Sequence, residues 1–480
     1  MTIQKVKKSM YRFRRIENLI GKYKELENQE IYFSDIVSLN DPMEGFREFY
    51  WSGDVIAWKN LFKHYILCLE QMCFLAYLSD EMQIFSARDI PIFIEEDKLP
   101  TEQYRQMFRE IWEKFFQIDG IKEYIAIIAS LPWKVYRDEI YAYFKYIHFI
   151  AFQVIMETYI KHGFQESYTT QPPDYSSHLK GFVEALKKIN LVDEDEQDKI
   201  KILVKIQRDL LLEFDLISAY KLYDSPINQR RWFILSEFTN AYLDSLIKLT
   251  YPEAYVACFM SDCTNAAVWG HYGDSHKGVC LKFRTKDTNG IPSIDLNCII
   301  GMGEKPIYDY RQFPFHKIDY TNKFKEIDFF KSIGRLTMGQ LMRQWYTDQE
   351  GNRSSCADHM IDKKREEIWR DQYWNSYNSG FLIKLKDWEY EKEHRLLLSS
   401  VLDSFEEVED RKLKYKFDDL EAIIFGTRTS IEDKIKIIKI IESKCKVNHR
   451  KNFDFYQAEY SQTTGRMGIR KLDFIKLDLT

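Results

Sequence analysis

Apolar and polar residues alternate near the two ends of this chain and recur at three-to-four spacing through its middle. Ser9-Met-Tyr-Arg-Phe-Arg14 alternates over most of its length, the period of a half-buried strand. Ile16, Leu19, Ile20 and Tyr23 then recur at helical spacing, and Glu30-Ile-Tyr-Phe-Ser34 is β-rich again. The turn formers Asn40-Asp41-Pro42 close this strand–helix–strand opening. From about Trp51 to Thr250 the period changes. Apolar residues return at three and four between charged stretches, as in Ile200-Lys-Ile-Leu-Val-Lys-Ile-Gln-Arg-Asp-Leu-Leu-Leu212. Turns there fall at Leu131-Pro132 and Gln171-Pro-Pro-Asp174.

Strand character returns at Ala254–Met260 and Gly278–Phe283, and later at Arg395–Leu398 and Ala422–Phe425. The short apolar run Phe381-Leu-Ile383 reads either as a strand or as a helix start. A mostly helical stretch spans Asp319 to Gln372, and a charged helix from about Ser430 to Ser443 precedes strands at Phe453–Tyr460 and Met467–Leu477. The pattern therefore predicts an α+β module with a mostly antiparallel sheet, split by a large all-helical insert. Its expected parts are residues 1–50 and 251–480, with the insert at 51–250. The two ends must then pair across the insert, a long-range closure.

Composition narrows the classes. A chain of 480 residues suits two or three domains, and 45% hydrophobic with 30% charged residues is an ordinary globular mixture. Few Gly (19) and Pro (11) argue against long disordered linkers, while 31 Tyr and 33 Phe allow large cores. A net charge of −5 gives no overall bias toward nucleic acid. The start, Met1-Thr-Ile-Gln-Lys-Val-Lys-Lys8, lacks the apolar core of a signal peptide. The most apolar stretch, Tyr141–Ile160, carries Lys145, His148 and Glu157, so it reads as a buried helix and not a membrane span. Eight scattered Cys fit reduced thiols, and the expected compartment is the cytoplasm. Cys258, Cys263 and His271 match no common zinc spacing, so no structural metal is expected.

Four clusters carry candidate chemistry. Asn40-Asp41-Pro42-x-Glu44 follows the second strand; an Asx–Pro turn explains its first residues and leaves Glu44 over. His271, Tyr272, Asp274 and His276 crowd the Gly-punctuated segment Trp269–Gly278, which is either a functional loop or a polar network at a helix start. In Trp388-Glu-Tyr-Glu391-Lys-Glu393-His-Arg395, a strand period would set Glu391, Glu393 and Arg395 on one face. Such a face lines a polar cleft or forms a surface ion-pair ladder. Finally, Arg12 and Arg14 share a face of the opening strand, where arginine can clamp a phosphate or stand solvated. No phosphate-binding glycine loop and no nucleophile elbow is present, which lowers P-loop NTPase, Rossmann dehydrogenase and serine hydrolase readings.

In order, these clusters resemble a bacterial family known as the domain of unknown function 2971. The resemblance runs through Ile31-Tyr-Phe-Ser34, Asn40-Asp41-Pro42-x-Glu44, Cys258-Phe259, Trp269-x-His-Tyr272-x-x-x-His276-x-Gly278 and Trp388-x-x-Glu391-x-Glu393-x-Arg395. It covers roughly residues 10–50 and 250–478, and the long insert departs from it. The chain also resembles the ADP-ribosyltransferase fold. That resemblance implies Arg12 or Arg14 on the pyrophosphate of NAD, Ser34 at the nicotinamide ribose, and Glu393 with Glu391 at the reacting carbon. It leaves His271, Tyr272 or His276 for polarisation or proton transfer, with Asn40, Asp41, Glu44 and Arg395 beside the cofactor.

Three functions follow as expectations. The first is an NAD-consuming ADP-ribosyltransferase-like enzyme, of a kind that would suit a toxin or an antiphage defence effector. Its acceptor would be protein or nucleic acid, with a protein partner engaged by the helical insert and no membrane involved. The second is a metal-dependent hydrolase or nuclease gathering a divalent ion with Asp41, Glu44, Glu391 and Glu393. The third is a binding module whose motifs are internal polar networks, for which replacing Glu393 would cost folding and not turnover.

Overall fold

The computed structural model describes residues 9–80, 82–166, 175–189, 194–222, 225–399, 405 and 407–479. The expected turn at Gln171–Asp174 and the charged start at Met1–Lys8 lie outside them. Helix makes up 51% and strand 21%, and the sheets are antiparallel or mixed, so the class is α+β. The chain divides into two compact units. One comprises Met1–Phe46, Glu253–Phe324 and Tyr377–Thr480; the other comprises Arg47–Pro252 and Lys325–Ser376. The helical unit thus takes in Lys325–Ser376, a stretch the sequence pattern left with the strand-rich module.

The strand-rich unit is built on a nine-stranded sheet. Its strands are β1 (Ser9–Arg14), β2 (Ser34–Asp35), β3 (Ala254–Met260), β4 (Val279–Arg284), β5 (His316–Lys317), β6 (Glu393–Ser399), β7 (Leu420–Phe425), β8 (Asp454–Tyr460) and β9 (Met467–Lys471). Their order is β5-β6-β3-β1-β4-β7-β8-β9, with β2 paired onto β3. Only the β7–β8 pair is parallel, and helix α3 (Ile431–Val447), capped by Ser430 and touched by the short helix α1 (Ile16–Ile20), makes that crossover.

Register decides which side chains share a face, because directly opposed residues point the same way. Tyr11 opposes Met260 and Met260 opposes Glu393, so Tyr11, Met260 and Glu393 form one row. Period two adds Phe13, Cys258 and Arg395 to that face, which packs on helix α2 (Ala266–Tyr272) through Val268 and Trp269. The Phe13 and Trp269 rings meet edge to face at 4.9 Å. The opposite face carries Met10, Phe259, Leu281, Phe283, Leu396 and Phe425. It shares its core with α3 and with a five-stranded sheet of Glu30–Tyr32, Lys286–Thr288, Ile291–Met302, Pro306–Pro314 and Lys412–Tyr415. The β-rich run at Glu30–Ser34 is therefore shared between two sheets, with Phe33 at the crossing.

The helical unit gathers Val55–Leu78, Glu102–Gln117, Ile121–Ser130, Arg137–Lys161 and Phe238–Leu246 around one apolar core. Lys145 and His148 of the most apolar helix are kept inside by partners. Lys145 pairs with Asp215 at 3.0 Å, and His148 Nδ1 meets the Tyr65 hydroxyl at 2.7 Å. No described helix is long and apolar enough to cross a membrane.

Candidate functional site

The candidate residues of the second, third and first clusters converge inside the strand-rich unit around one lysine. Lys384 follows the helix Lys363–Leu382 on the two-residue strand Ile383–Lys384. Its ammonium lies 2.7 Å from Glu391, 2.9 Å from Glu44 and 3.1 Å from Glu393. Arg395 completes the ring: its Nε donates to Glu393 Oε1 at 2.6 Å, its Nη2 to Glu44, and its Nη1 to the Phe381 carbonyl at 2.8 Å. Tyr272, at the end of α2, donates to Glu391 Oε1 at 2.8 Å. All six carboxylate oxygens of Glu44, Glu391 and Glu393 are thereby engaged. The five charged side chains are at most 2% exposed.

Local backbone explains how these groups arrive. Asp41 accepts from the Met43 amide at 2.9 Å, and the Glu44 amide closes onto the Asp41 carbonyl at 3.0 Å. This Asx–Pro turn tips Glu44 inward while Asn40 stays exposed. Glu391 is not on the strand, as period two required. It ends the 3₁₀ turn Lys386–Glu391, and Lys392 adopts a left-handed conformation (φ 50°) before β6 begins at Glu393. The kink brings Glu391 and Glu393 to the same lysine by another route than strand alternation. The expected polar face is neither an open cleft nor a surface ladder; it is a closed interior network.

Burial and charge compete in Glu393, Lys384, Arg395 and Glu391. Burial would raise the Glu393 carboxyl, but Arg395 and Lys384 outweigh it and hold it below its ordinary range. Burial would lower Lys384, yet the carboxylates of Glu393, Glu44 and Glu391 raise it. Arg395 is raised in the same way by Glu393. Burial lifts the Tyr272 phenol, so it stays protonated. Glu391 is pushed toward neutrality, burial outweighing Lys384. Three carboxylates against two cations leave one formal negative charge, and Glu391 is where a proton would cancel it.

The other candidates lie elsewhere. Arg12 and Arg14 stand on the opposite face of the sheet from Glu393. Arg12 is buried over the Phe259 ring at 5.2 Å and donates to the Tyr32 carbonyl at 2.8 Å. Arg14 is forked onto Glu25, with Nε at 2.7 Å from Oε2. Ser34 shares the Glu393 face, but it opposes Val256 across β3, four residues from the row of Glu393. That offset is about 13 Å along the strand. The Arg–Ser–Glu arrangement is thus not brought together on one face.

His276 has a different task. It sits in a left-handed turn (φ 71°), and its carbonyl accepts the Arg428 amide at 2.9 Å. Gly278 accepts from the Gly426 amide at 3.0 Å and the Thr429 hydroxyl at 2.8 Å. A side chain at Gly426 would collide with the His276 carbonyl, and one at Gly278 with the Arg14 carbonyl. His276-x-Gly278 is a backbone lock between loops.

His271 is exposed at the rim of the network. Its Nδ1 lies 3.3 Å from the Tyr390 hydroxyl, and its ring neighbours Trp388 at 5.9 Å. Trp388 covers Lys384, whose ammonium is 4.8 Å from the indole. Asn265 caps α2 and donates to the Tyr390 carbonyl at 3.3 Å, tying the two rim segments together. Lys384, the hub, and Tyr320, whose hydroxyl accepts the Glu393 amide at 2.7 Å, were not among the expected residues. A lysine inside the apolar run Phe381-Leu-Ile-Lys-Leu385 was the available signal.

Of the carboxylates expected to hold a divalent ion, Glu44, Glu391 and Glu393 already enclose Lys384 and Arg395, while Asp41 accepts from the Met43 amide. Among the described residues no group of three or more His, Cys, Asp or Glu is placed to hold a metal. Residues 268–396 match a family described as a protein of unknown function (DUF2971). The match starts in α2 and ends in β6, so it contains Tyr272, Lys384, Glu391, Glu393 and Arg395 but not Glu44. No curated protein and no solved structure matches the chain.

Proposed function

We propose that the strand-rich unit is a ligand-recognition module, with the charged network as its internal frame and the rim residues His271, Tyr272, Trp388 and Tyr390 as its recognising edge. One observation carries this reading: every carboxylate oxygen of Glu44, Glu391 and Glu393 is already bonded inside a network that water does not reach. A catalytic carboxylate must meet its substrate within hydrogen-bond reach, and the oxygens of these are taken by Lys384, Arg395 and Tyr272. The rim offers an imidazole, two phenols and an indole, which suit a flat ligand with hydrogen-bonding edges. NAD, to which the fold resemblance points, is the first such ligand to test.

The test compares NAD binding, nicotinamide release and melting temperature for the wild type, His271→Ala and Glu393→Gln. His271→Ala is expected to weaken binding by about tenfold, some 1.4 kcal/mol, at an unchanged melting temperature. Glu393→Gln is expected to lower the melting temperature sharply. Nicotinamide release that is lost in a Glu393→Gln protein of wild-type stability would overturn the module and restore the transferase. NAD that neither binds nor shifts melting would remove NAD as the ligand.

A further inference from the structure

The helix Glu194–Leu222 is apolar on two sides, and among the described residues only one of them is used within its own unit. Its inner side carries Leu211 and Leu212 into the helical core, while Asp215 bonds Lys145 and Tyr141, and Gln207 bonds Tyr146. Its outer side presents Leu203, Ile206, Leu210, Phe214, Ile217 and Tyr220, each 49–84% exposed. Side chains of this size at that exposure leave on the order of 800 Å² of apolar surface facing outward. A stable two-protein interface needs about 800 Å² from each partner. Isolated apolar residues on a surface are unremarkable, but a continuous stripe of this area is covered by something in a functioning protein.

The spacing of the stripe indicates what covers it. Leu203, Ile206, Leu210, Glu213, Ile217 and Tyr220 follow the alternating three–four step of a coiled-coil seam. We propose that two copies of the chain pair through this helix, antiparallel, about a two-fold axis between Leu211 and Leu212. That axis seats Leu203 against Tyr220 of the second copy, Ile206 against Ile217, and Leu210 against Glu213. The orientation follows from Glu213, the one charged residue in the seam. A parallel in-register pair would bury Glu213 against itself, two like charges in a dry layer. The antiparallel pair separates the two carboxylates and sets each at Leu210, with its head free to reach water. The surface is self-complementary, as a two-fold interface requires. This assigns an interaction face to the helical unit and does not depend on the ligand read for the strand-rich unit.

Analytical ultracentrifugation of the full chain, with Ile206→Asp beside it, gives the first test. The wild type is expected at twice the monomer mass, and the variant as a folded monomer with unchanged circular dichroism. Should the variant misfold, crosslinking decides independently. The other eight cysteines are buried or half-buried, so introduced ones report alone. An Ile206→Cys/Ile217→Cys protein is expected to oxidise to a covalent dimer, and Ile206→Cys alone is not. Within one helix those positions lie about 16 Å apart and cannot bridge. A wild-type monomer at every concentration, or a covalent dimer from Ile206→Cys alone, would overturn the proposal. So would a stripe occupied only by a different protein.

Discussion

At the scale of single residues, the charged cluster behaves as a unit whose members cannot be removed singly. Glu393 accepts from Arg395 and Lys384 with 1% of its side chain exposed, so Glu393→Gln breaks a buried ion pair and sets an amide donor where an oxygen accepts from a cation. Breaking such a pair costs about 3–5 kcal/mol, and equilibrium denaturation is expected to read a loss in that range. A second acid gives a contrasting case. Glu70 of the helical unit has no cationic partner among the described residues; it accepts from Tyr104, Tyr159 and Gln71 and is fully buried. Burial raises its pKa from 4.5 to about 7. Between those values the folded state keeps a proton that the unfolded state has lost, so stability falls as pH rises from 4.5 to 7. It flattens above that, for a total of roughly 3 kcal/mol. Glu70→Gln is expected to abolish that slope and to be the more stable protein at pH 8. A variant that retains the slope would assign it to other groups.

At the scale of elements, Gly278 and Gly426 bind the loop after α2 to the end of β7 through a backbone bond that the Thr429 hydroxyl reinforces. Gly426→Ala is expected to destabilise by more than 2 kcal/mol, because the His276 carbonyl cannot yield without breaking its bond to Arg428. A change within 0.5 kcal/mol would show that the loop adapts. Local pattern made β1, β3, β4, β7 and α3 legible, since each follows its period closely. It did not reveal the long hairpin of Ile291–Met302 and Pro306–Pro314, whose outer strand is largely exposed and has no apolar alternation to read. It also passed over the preceding turn, although Asn289-Gly290, both at positive φ, is a strong hairpin signal. The Arg12–Glu393 relation failed for a different reason. Period two fixes faces within a strand, whereas the relative face of two strands depends on a register set by Met260 between them. Glu391, Glu393 and Arg395 were legible as charges crowded into one short segment, and Glu44 as the residue its turn left over. Lys384 was not, because its role exists only when three distant segments meet.

At the scale of the whole molecule, the eight cysteines report on the two units separately. Cys68, Cys73 and Cys356 belong to the helical unit, and Cys258, Cys263, Cys280, Cys298 and Cys445 to the strand-rich unit. Mass-resolved alkylation along a urea gradient is expected to label the thiols as these two sets, each with its own midpoint. Labelling that mixes members of both sets would mean the units do not unfold as units. The central claim is that the charged network frames a site and does not perform its chemistry. The most direct test measures Glu393→Gln in one sample for melting temperature and for nicotinamide release from NAD. A large fall in melting temperature, with no wild-type turnover to lose, is the predicted result. A stable Glu393→Gln protein that has lost a measurable wild-type turnover would contradict it.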